Sequence, residues 1–331
     1  MAVTSSHLMS TRNQIIKTPG KVVLDAAGVS PVTLYSSTGI TCRLQETLVD
    51  LVSTRWGVHD QVTTGRLVRI ELEPTQFTAA GLAAIFTHLS TAGRLGGSIV
   101  GATDKTCYVA TVDGQRREMD CAFVYQEPPM RCAAGKTILG QMVIYGIVGL
   151  GGNPASLDTF WKKLNSAWSD ADWDPAHELT PSWNFAWSKG TASAWDDIDT
   201  RGEGVTVTPR SSLAEDVSTR DGLKNVTLTD YGVDVTASVM NIEEALILEA
   251  MGWGNKLGTR KSSLGRDLVL RAVTNDAFIT VRNAVLQPDY QFGLGAENTV
   301  VADLAWKSMP LVTAGVRDPH LLVTTEDPLA Y

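Results

Sequence analysis

The sequence predicts a mainly β protein built as two similar domains in tandem, each with one flanking helix. An internal repeat is the first observation behind this. Gly39-Ile40-Thr41 recurs as Gly204-Val205-Thr206, and Val52-Ser53-Thr54-Arg55 followed by Gly57 recurs as Val217-Ser218-Thr219-Arg220 followed by Gly222. Both recurrences lie 165 positions apart in a chain of 331, with Leu48 over Leu213 between them. Farther on the order holds while the register drifts: Val124-Tyr125-Gln126 lies over Val285-Leu286-Gln287 at 161, and Thr137-Ile138 over Thr299-Val300 at 162. The second observation is the succession of elements, which is the same in both halves.

In the first half, residues 67–73 alternate, with Val68, Ile70 and Leu72 on one face and Arg69, Glu71 and Glu73 on the other, the mark of a strand with one wet face. Pro74 ends it. Leu82, Ile85, Phe86 and Leu89 then recur at helical spacing and predict a helix over 77–89. A strand at 107–112, a turn at Asp113-Gly114 and a strand at 117–126 follow. Pro128-Pro129 breaks the chain before a closing strand at 137–147. The second half reads as a strand at 233–239, a helix at 242–251, a strand at 268–273 turning at Asn275-Asp276, and strands at 277–286 and 299–306.

Between the halves, Trp161, Trp168, Trp173, Trp183, Trp187 and Trp195 hold six of the nine tryptophans. Residues 158–168 read as a short helix and 170–175 as a loop. Three readings stay open for this segment: a linker packing its rings over a domain seam, a protein-contact surface, or a glycan platform. The domain plan is therefore an arm at 1–17, a first domain at 18–152, a linker at 153–182, a second domain at 183–316 and a tail at 317–331. The arm has no acidic residue and carries His7, Arg12 and Lys17. It reads either as a plain tail or as a segment that docks on an acidic neighbour.

Composition sets the bounds. With 44% hydrophobic and 19% charged residues the chain can bury a core. A net charge of −8 argues against gripping nucleic acid through its phosphates. The longest apolar run, 142–150, is far short of the roughly 20 residues of a membrane helix, so no membrane partner is expected. No apolar run follows the N-terminus, which predicts a protein without a secretory signal. Cys42, Cys107, Cys121 and Cys132 form no CxxC and are expected to be thiols.

Motifs for chemistry fail on spacing. Gly135-Lys136-Thr137 ends like a P-loop, but Met130 stands where its first glycine belongs. Gly149-Leu150-Gly151 begins a dinucleotide fingerprint that Pro154 ends. Asp170, Asp172 and Asp174 imitate a calcium loop, with Pro175 and Pro181 at its sixth and twelfth positions. The five histidines are scattered and no GxSxG elbow exists. The expectation is a protein that is not an enzyme and uses no cofactor or metal.

The run from Gly65 through Leu67-Val68-Arg69-Ile70-Glu71-Leu72-Glu73 to Pro74, then the helix through Ala83-Ala84-Ile85-Phe86, resembles the tail tube proteins of long-tailed bacteriophages. So do Tyr108-Val109-Ala110-Thr111-Val112-Asp113-Gly114 with its return strand, the segment from Lys136 to Val143, and the opening from Thr18 to Leu24. The likeness covers about residues 18–150 and again about 185–310, without a diagnostic motif.

It implies two tandem β-sandwich folds, each adding four strands to a shared barrel around a channel, where closure into a ring removes exposed strand edges. Most members carry one such fold and form rings of six. Two folds per chain imply a trimeric, pseudo-sixfold ring with a backbone barrel about 48 Å across, wide enough for a duplex. The implied role is a virion tail subunit, assembled in the host cytoplasm, that stacks as rings and conducts DNA without binding it. Implied partners are further copies of itself and other tail proteins (tape measure, terminator, distal tail). A terminator or connector ring and a carbohydrate-binding double sandwich are the alternatives.

In the resemblance, the segments after the first strand of each fold, 47–64 and 212–230, reach the adjacent ring as extended loops. Arg55, Trp56, Gly57, Arg220 and Gly222 are the contact candidates this suggests, and Trp173 of the linker is a further one. Against that stands a plain turn in which Gly57 and Gly222 only permit an unusual backbone. Arg69, Glu71, Glu73 and Asp234 are the lumen-facing candidates.

Overall fold

The computed structural model describes residues 20–25, 31–75, 78–90, 97–99, 105–111, 115–133, 136–147, 162–165, 183–188, 195–218, 222–241, 244–272, 277–287, 292–294, 299–301 and 303–325. These are mostly β, arranged in two large sheets with two α-helices. The turns at Asp113-Gly114 and Asn275-Asp276, the arm, and most of the linker lie outside the described residues.

The first sheet is built from β1 (Gly20–Leu24), β2 (Val32–Leu34), β3 (Ser36–Ser53), β4 (Gly57–Pro74), β5 (Lys105–Thr111) and β6 (Gln115–Gln126). Two strands, β7 (Met130–Ala133) and β8 (Lys136–Leu139), then leave it before β9 (Met142–Ile147) returns. Its order is β2-β1-β5-β6-β9-β4-β3, and β10 (Lys162–Asn165) pairs beside β6. The second sheet contains β11 (Trp183–Ser188), β12 (Trp195–Ser218), β13 (Gly222–Asn241), β14 (Arg266–Ala272) and β15 (Phe278–Leu286). Next come the separate hairpin of β16 (Phe292–Leu294) and β17 (Thr299–Val301), then β18 (Leu304–Ser308). A small hairpin, β19 (Val312–Thr313) with β20 (Val316–Arg317), precedes β21 (Leu321–Thr324). The order here is β11-β14-β15-β18-β13-β12-β7-β8, with β21 beside β15. Because β11 also pairs with β12, the six strands from β11 to β12 close on themselves.

The two sheets share one wiring. In strand order, β1-β5-β6-β9-β4-β3 corresponds to β11-β14-β15-β18-β13-β12. The register corresponds as well. Ile40 faces Leu72 and Ser53 faces Gly57, as Val205 faces Ala237 and Ser218 faces Gly222, each shifted by 165. The irregularities between Thr47 and Leu48 and between Leu51 and Val52 recur between Ser212 and Leu213 and between Asp216 and Val217. In the later strands the ladder shift is 162: Val124 opposite Ile144 answers to Leu286 opposite Trp306. That replaces 161 by 162 for Val124, whereas Gln126, opposite Val143 beyond the bulge, answers at 161 to Gln287, whose N donates to Ala305 O at 2.8 Å.

The alternation at 67–73 holds. Val68, Ile70 and Leu72 are buried in the core, and Arg69, Glu71 and Glu73 lie on the opposite face. The helix is shorter than its apolar pattern: α1 spans Ala79–Ile85, with the Thr78 hydroxyl accepting from Gly81 N at 3.0 Å as its N-cap. Phe86 ends it in a non-helical conformation, yet Leu82, Ile85, Phe86 and Leu89 are all fully buried, which explains why the spacing extends past the helix. Each such side chain contributes about 1.5–3 kcal/mol of burial. The second helix, α2 (Glu244–Met251), stops at Gly252, whose φ of 72° supplies the left-handed cap.

Three expectations are corrected. The strand predicted at 137–147 is two strands in different sheets, because the chain turns over Pro129 at Gly140: Gly140 N donates to Pro129 O at 2.8 Å, and a Cβ there would lie 2.8 Å from the proline ring. The strand at 299–306 likewise divides, with Asp303 at the break accepting from Ser238 Oγ at 2.7 Å. The helix predicted at 158–168 contains the strand β10, whose backbone is held by the β6 ladder from Lys162 opposite Glu118 to Asn165 opposite Gln115. Ladder partners override a weak helical pattern.

Candidate assembly surface

The extended loop expected at 47–64 is a β-ribbon. β3 and β4 pair continuously out to Ser53 opposite Gly57, and Thr54, Arg55 and Trp56 form the tip. Gly57 takes a φ of 68°, and Ser53 Oγ accepts from Trp56 N at 3.0 Å, so both repeated residues serve the turn. Arg55 is exposed and lies 4.9 Å over the Trp56 ring, itself 70% exposed. Gly222 stands opposite Ser218 at the start of β13, whereas Arg220 and Trp173 lie outside the described residues. Leu44, Leu48, Val52 and Val58 are exposed on one face of the first ribbon, and Val49, Leu51 and Val62 on the other. A two-stranded ribbon with apolar groups on both faces is poorly stable in water by itself.

The lumen candidates stand on corresponding faces. Asp234 occupies on β13 the position of Arg69 on β4: Arg69 faces Arg43 and Tyr145, and Asp234 faces Thr208 and Lys307. Their charges are paired. Arg69 Nε is 2.6 Å from Glu71 Oε1, with Arg43 at 3.7 Å from the other oxygen. Arg210 Nε is 3.1 Å from Asp234 Oδ2, and Asp230 is 3.9 Å from the same guanidinium. Glu71 and Asp234 are thus not bare carboxylates, and any repulsion of phosphate must come from the wider charge distribution. On this face Tyr125 stacks on Tyr145 at 4.0 Å, and its hydroxyl donates to Glu215 of β12 at 3.3 Å, linking the first sheet to the second ribbon. Burial, with Glu215 alongside, holds the Tyr125 phenol above its ordinary range.

Sequence reasoning missed the junction between the sheets. β7 leaves the first sheet and extends the second, with Met130 opposite Val207, Arg131 opposite Thr206 and Cys132 opposite Val205. Met130, Cys132, Val205 and Val207 are buried there, and Arg131 forms an ion pair with Glu203 on the outer side. Gly204, at φ 70°, permits the approach, since a Cβ would lie 1.8 Å from Cys132 O. Trp183 Nε1 donates to Thr137 Oγ1 of β8 at 2.5 Å. A second strap, residues 97–99, lies along β13: Ile99 N donates to Val226 O at 2.8 Å. Leu223, Val226 and Leu228 are buried on that ribbon. The signal that could have found the junction was the paired Gly39 and Gly204, which only hinted at a left-handed backbone.

The corresponding edge of the first sheet has no counterpart of β7 among the described residues. Among the described residues nothing pairs outside β3, and Gly39, at φ 104°, has no atom within 4 Å of a built Cβ. Of the tryptophans, Trp187 is fully buried and packs edge-to-face on Trp306 at 5.7 Å, so it belongs to the core; Trp161 and Trp168 lie outside the described residues. The four cysteines are free thiols, no helix among the described residues is long and apolar enough to cross a membrane, and no described cluster of His, Cys, Asp and Glu could hold a metal. No family model matches this chain, and no curated protein matches it either.

Proposed function

We propose that the two halves arose by duplication of one tube-type fold and that the protein is a tail tube subunit of a long-tailed phage, whose chains assemble into rings that stack around a channel for DNA. The observation that carries this reading is the shared wiring and register of the two sheets, with the same two irregularities in each long ribbon. Repeated folds joined edge to edge within a chain are the natural unit of a ring, since each domain presents an equivalent edge to the next. Two folds per chain make three chains the number that completes six positions. The ribbons project from the sheets as arms suited to contact between stacked rings. The work is structural, done by burial and ladder bonds, and the net charge of −8, more than the arginine-paired carboxylates of this face, keeps DNA from sticking.

Negative-stain microscopy of the concentrated full-length protein tests the reading. Long tubes with a central channel are expected. Single rings that never stack would favour a terminator or connector, and discrete particles of one chain would overturn the assembly reading altogether.

A further inference from the structure

The junction of the two domains gives a template for the edge at β3. Within the chain, the hairpin of β7 and β8 caps β12 of the second sheet. Its counterpart in the second domain is the hairpin of β16 and β17. Met130 opposite Leu139, Arg131 opposite Ile138 and Cys132 opposite Thr137 answer to Phe292 opposite Val301, Gly293 opposite Val300 and Leu294 opposite Thr299, each shifted by 162. That second hairpin stands as a two-stranded sheet by itself. The counterpart of β12 is β3, which among the described strands is laddered to β4 alone. The backbone at the two edges also agrees: Gly39 and Gly204 both take the left-handed conformation, and at Gly204 the reason is the close passage of Cys132. Among the described residues, a donor hairpin and an acceptor edge, each matching one half of an existing contact, therefore both lack a strand partner. Within the chain these two strands are not paired with each other, whereas pairing between copies repeats the observed step.

We propose that β3 of one copy takes β16 of a second copy as its antiparallel neighbour, with Ile40 opposite Leu294, Thr41 opposite Gly293 and Cys42 opposite Phe292 of that copy. The contact is head-to-tail: every chain gives one hairpin and receives another, so it propagates instead of stopping at a pair. In the contact within the chain, Met130 and Val207 are fully buried. Phe292 and Cys42 hold the corresponding positions between copies, while Thr41 and Gly293 correspond to the outward pair Thr206 and Arg131. The inference rests on the self-assembly part of the proposed function, and it would hold for a filament as well as for a ring.

Cysteine cross-linking through the outward pair tests it, because opposed residues on neighbouring strands lie within disulfide reach. Thr41→Cys and Gly293→Cys are combined in full-length protein carrying Cys42→Ser, oxidised, and run on a non-reducing denaturing gel. Arg131→Cys with Thr206→Cys is the control, and should form a bond within one chain. The expected result is a ladder reaching three chains or more, with a mixture of the two single variants giving dimers only. Monomers alone from the double variant, beside a control that closes, would overturn the contact. A product that stops at dimers would overturn its head-to-tail character. A ladder that ends at three supports the ring; one that runs on leaves this contact standing and removes the ring from the proposed function.

Discussion

The ribbons β3–β4 and β12–β13 have the same length of continuous pairing at their tips, the same irregularities and the same closing glycine, yet they live in different surroundings. The second is capped at its base by β7 and strapped by residues 97–99, and it buries Leu223, Val226 and Leu228. At the corresponding positions the first carries Val58, Gln61 and Thr63, and Val58 is exposed. Local pattern thus determined the ribbon and its bends, while neighbours determined which side chains became core. The covered ribbon has turned apolar groups into core, whereas the uncovered one leaves Leu44, Leu48, Val52 and Val58 in water until a partner arrives.

The sharpest way to break this comparison is at the paired glycines. Gly204→Ala drives a Cβ into the Cys132 carbonyl, and backbone cannot yield cheaply. We expect a loss of about 3–4 kcal/mol in urea unfolding, as β7 leaves its edge. Gly39→Ala meets open space and should cost the isolated chain only about 1 kcal/mol of left-handed strain. Equal losses would mean that Gly204 is constrained by its own turn and not by β7. A gentler test uses Leu228→Ala against Thr63→Ala. The first removes a fully buried side chain and should cost about 2–4 kcal/mol, and the second less than about 0.5 kcal/mol.

The glycine pair also shows what was legible in the sequence. Gly39 and Gly204 were visible as part of a repeat, but nothing in one dimension says that a strand from residues 130–133 passes over one of them. Met130-Arg131-Cys132-Ala133 is a four-residue run with one charge, too short for periodicity to separate from a loop. Strand 67–73 was readable because one face is buried and the other wet. The same logic failed at 137–147, where buried residues on both sides of Gly140 look continuous although they serve different sheets. Arg55 stood out by repetition, whereas the ion pairing of Arg69 with Glu71 needed the fold.

A third difference between the two sheets is acid sensitivity. His320 is buried against Tyr231, with Nδ1 2.7 Å from Ser308 Oγ and Nε2 accepting from Arg317 at 2.9 Å. In the first sheet the position of Ser308 is Gly146, so this arrangement cannot form there. Desolvation, with Arg317 and Arg210 nearby, pushes the imidazole down to about 4 from an ordinary 6.5. The unfolded chain therefore binds this proton first. Stability is complete above pH 6.5 and falls as pH drops from 6.5 towards 4, by about 1–2 kcal/mol after allowing for solvent screening. His320→Gln should flatten that part of the pH profile of thermal unfolding; an unchanged slope would assign the loss to other groups.

The smallest expected effect on folding, and the most specific to assembly, is at the tips. Among the described residues Arg55 lies over its neighbour Trp56, a contact worth less than about 1 kcal/mol at an exposed site. Ser53 and Gly57 already account for the turn, so the repeated arginine has no role left in building the ribbon. A guanidinium held out on an aromatic ring at the end of a projecting arm presents a fork of donors to a carboxylate or to backbone carbonyls of a neighbour. Arg55→Ala with Arg220→Ala is therefore expected to leave the melting temperature of the unassembled chain nearly unchanged. In assembled protein it should give shorter or more salt-sensitive tubes, because a contact repeated around every ring accumulates. Tubes of ordinary length and salt tolerance would show that these arginines serve their own domains, and would return the Val-Ser-Thr-Arg-x-Gly repeat to the plain turn that Gly57 by itself explains.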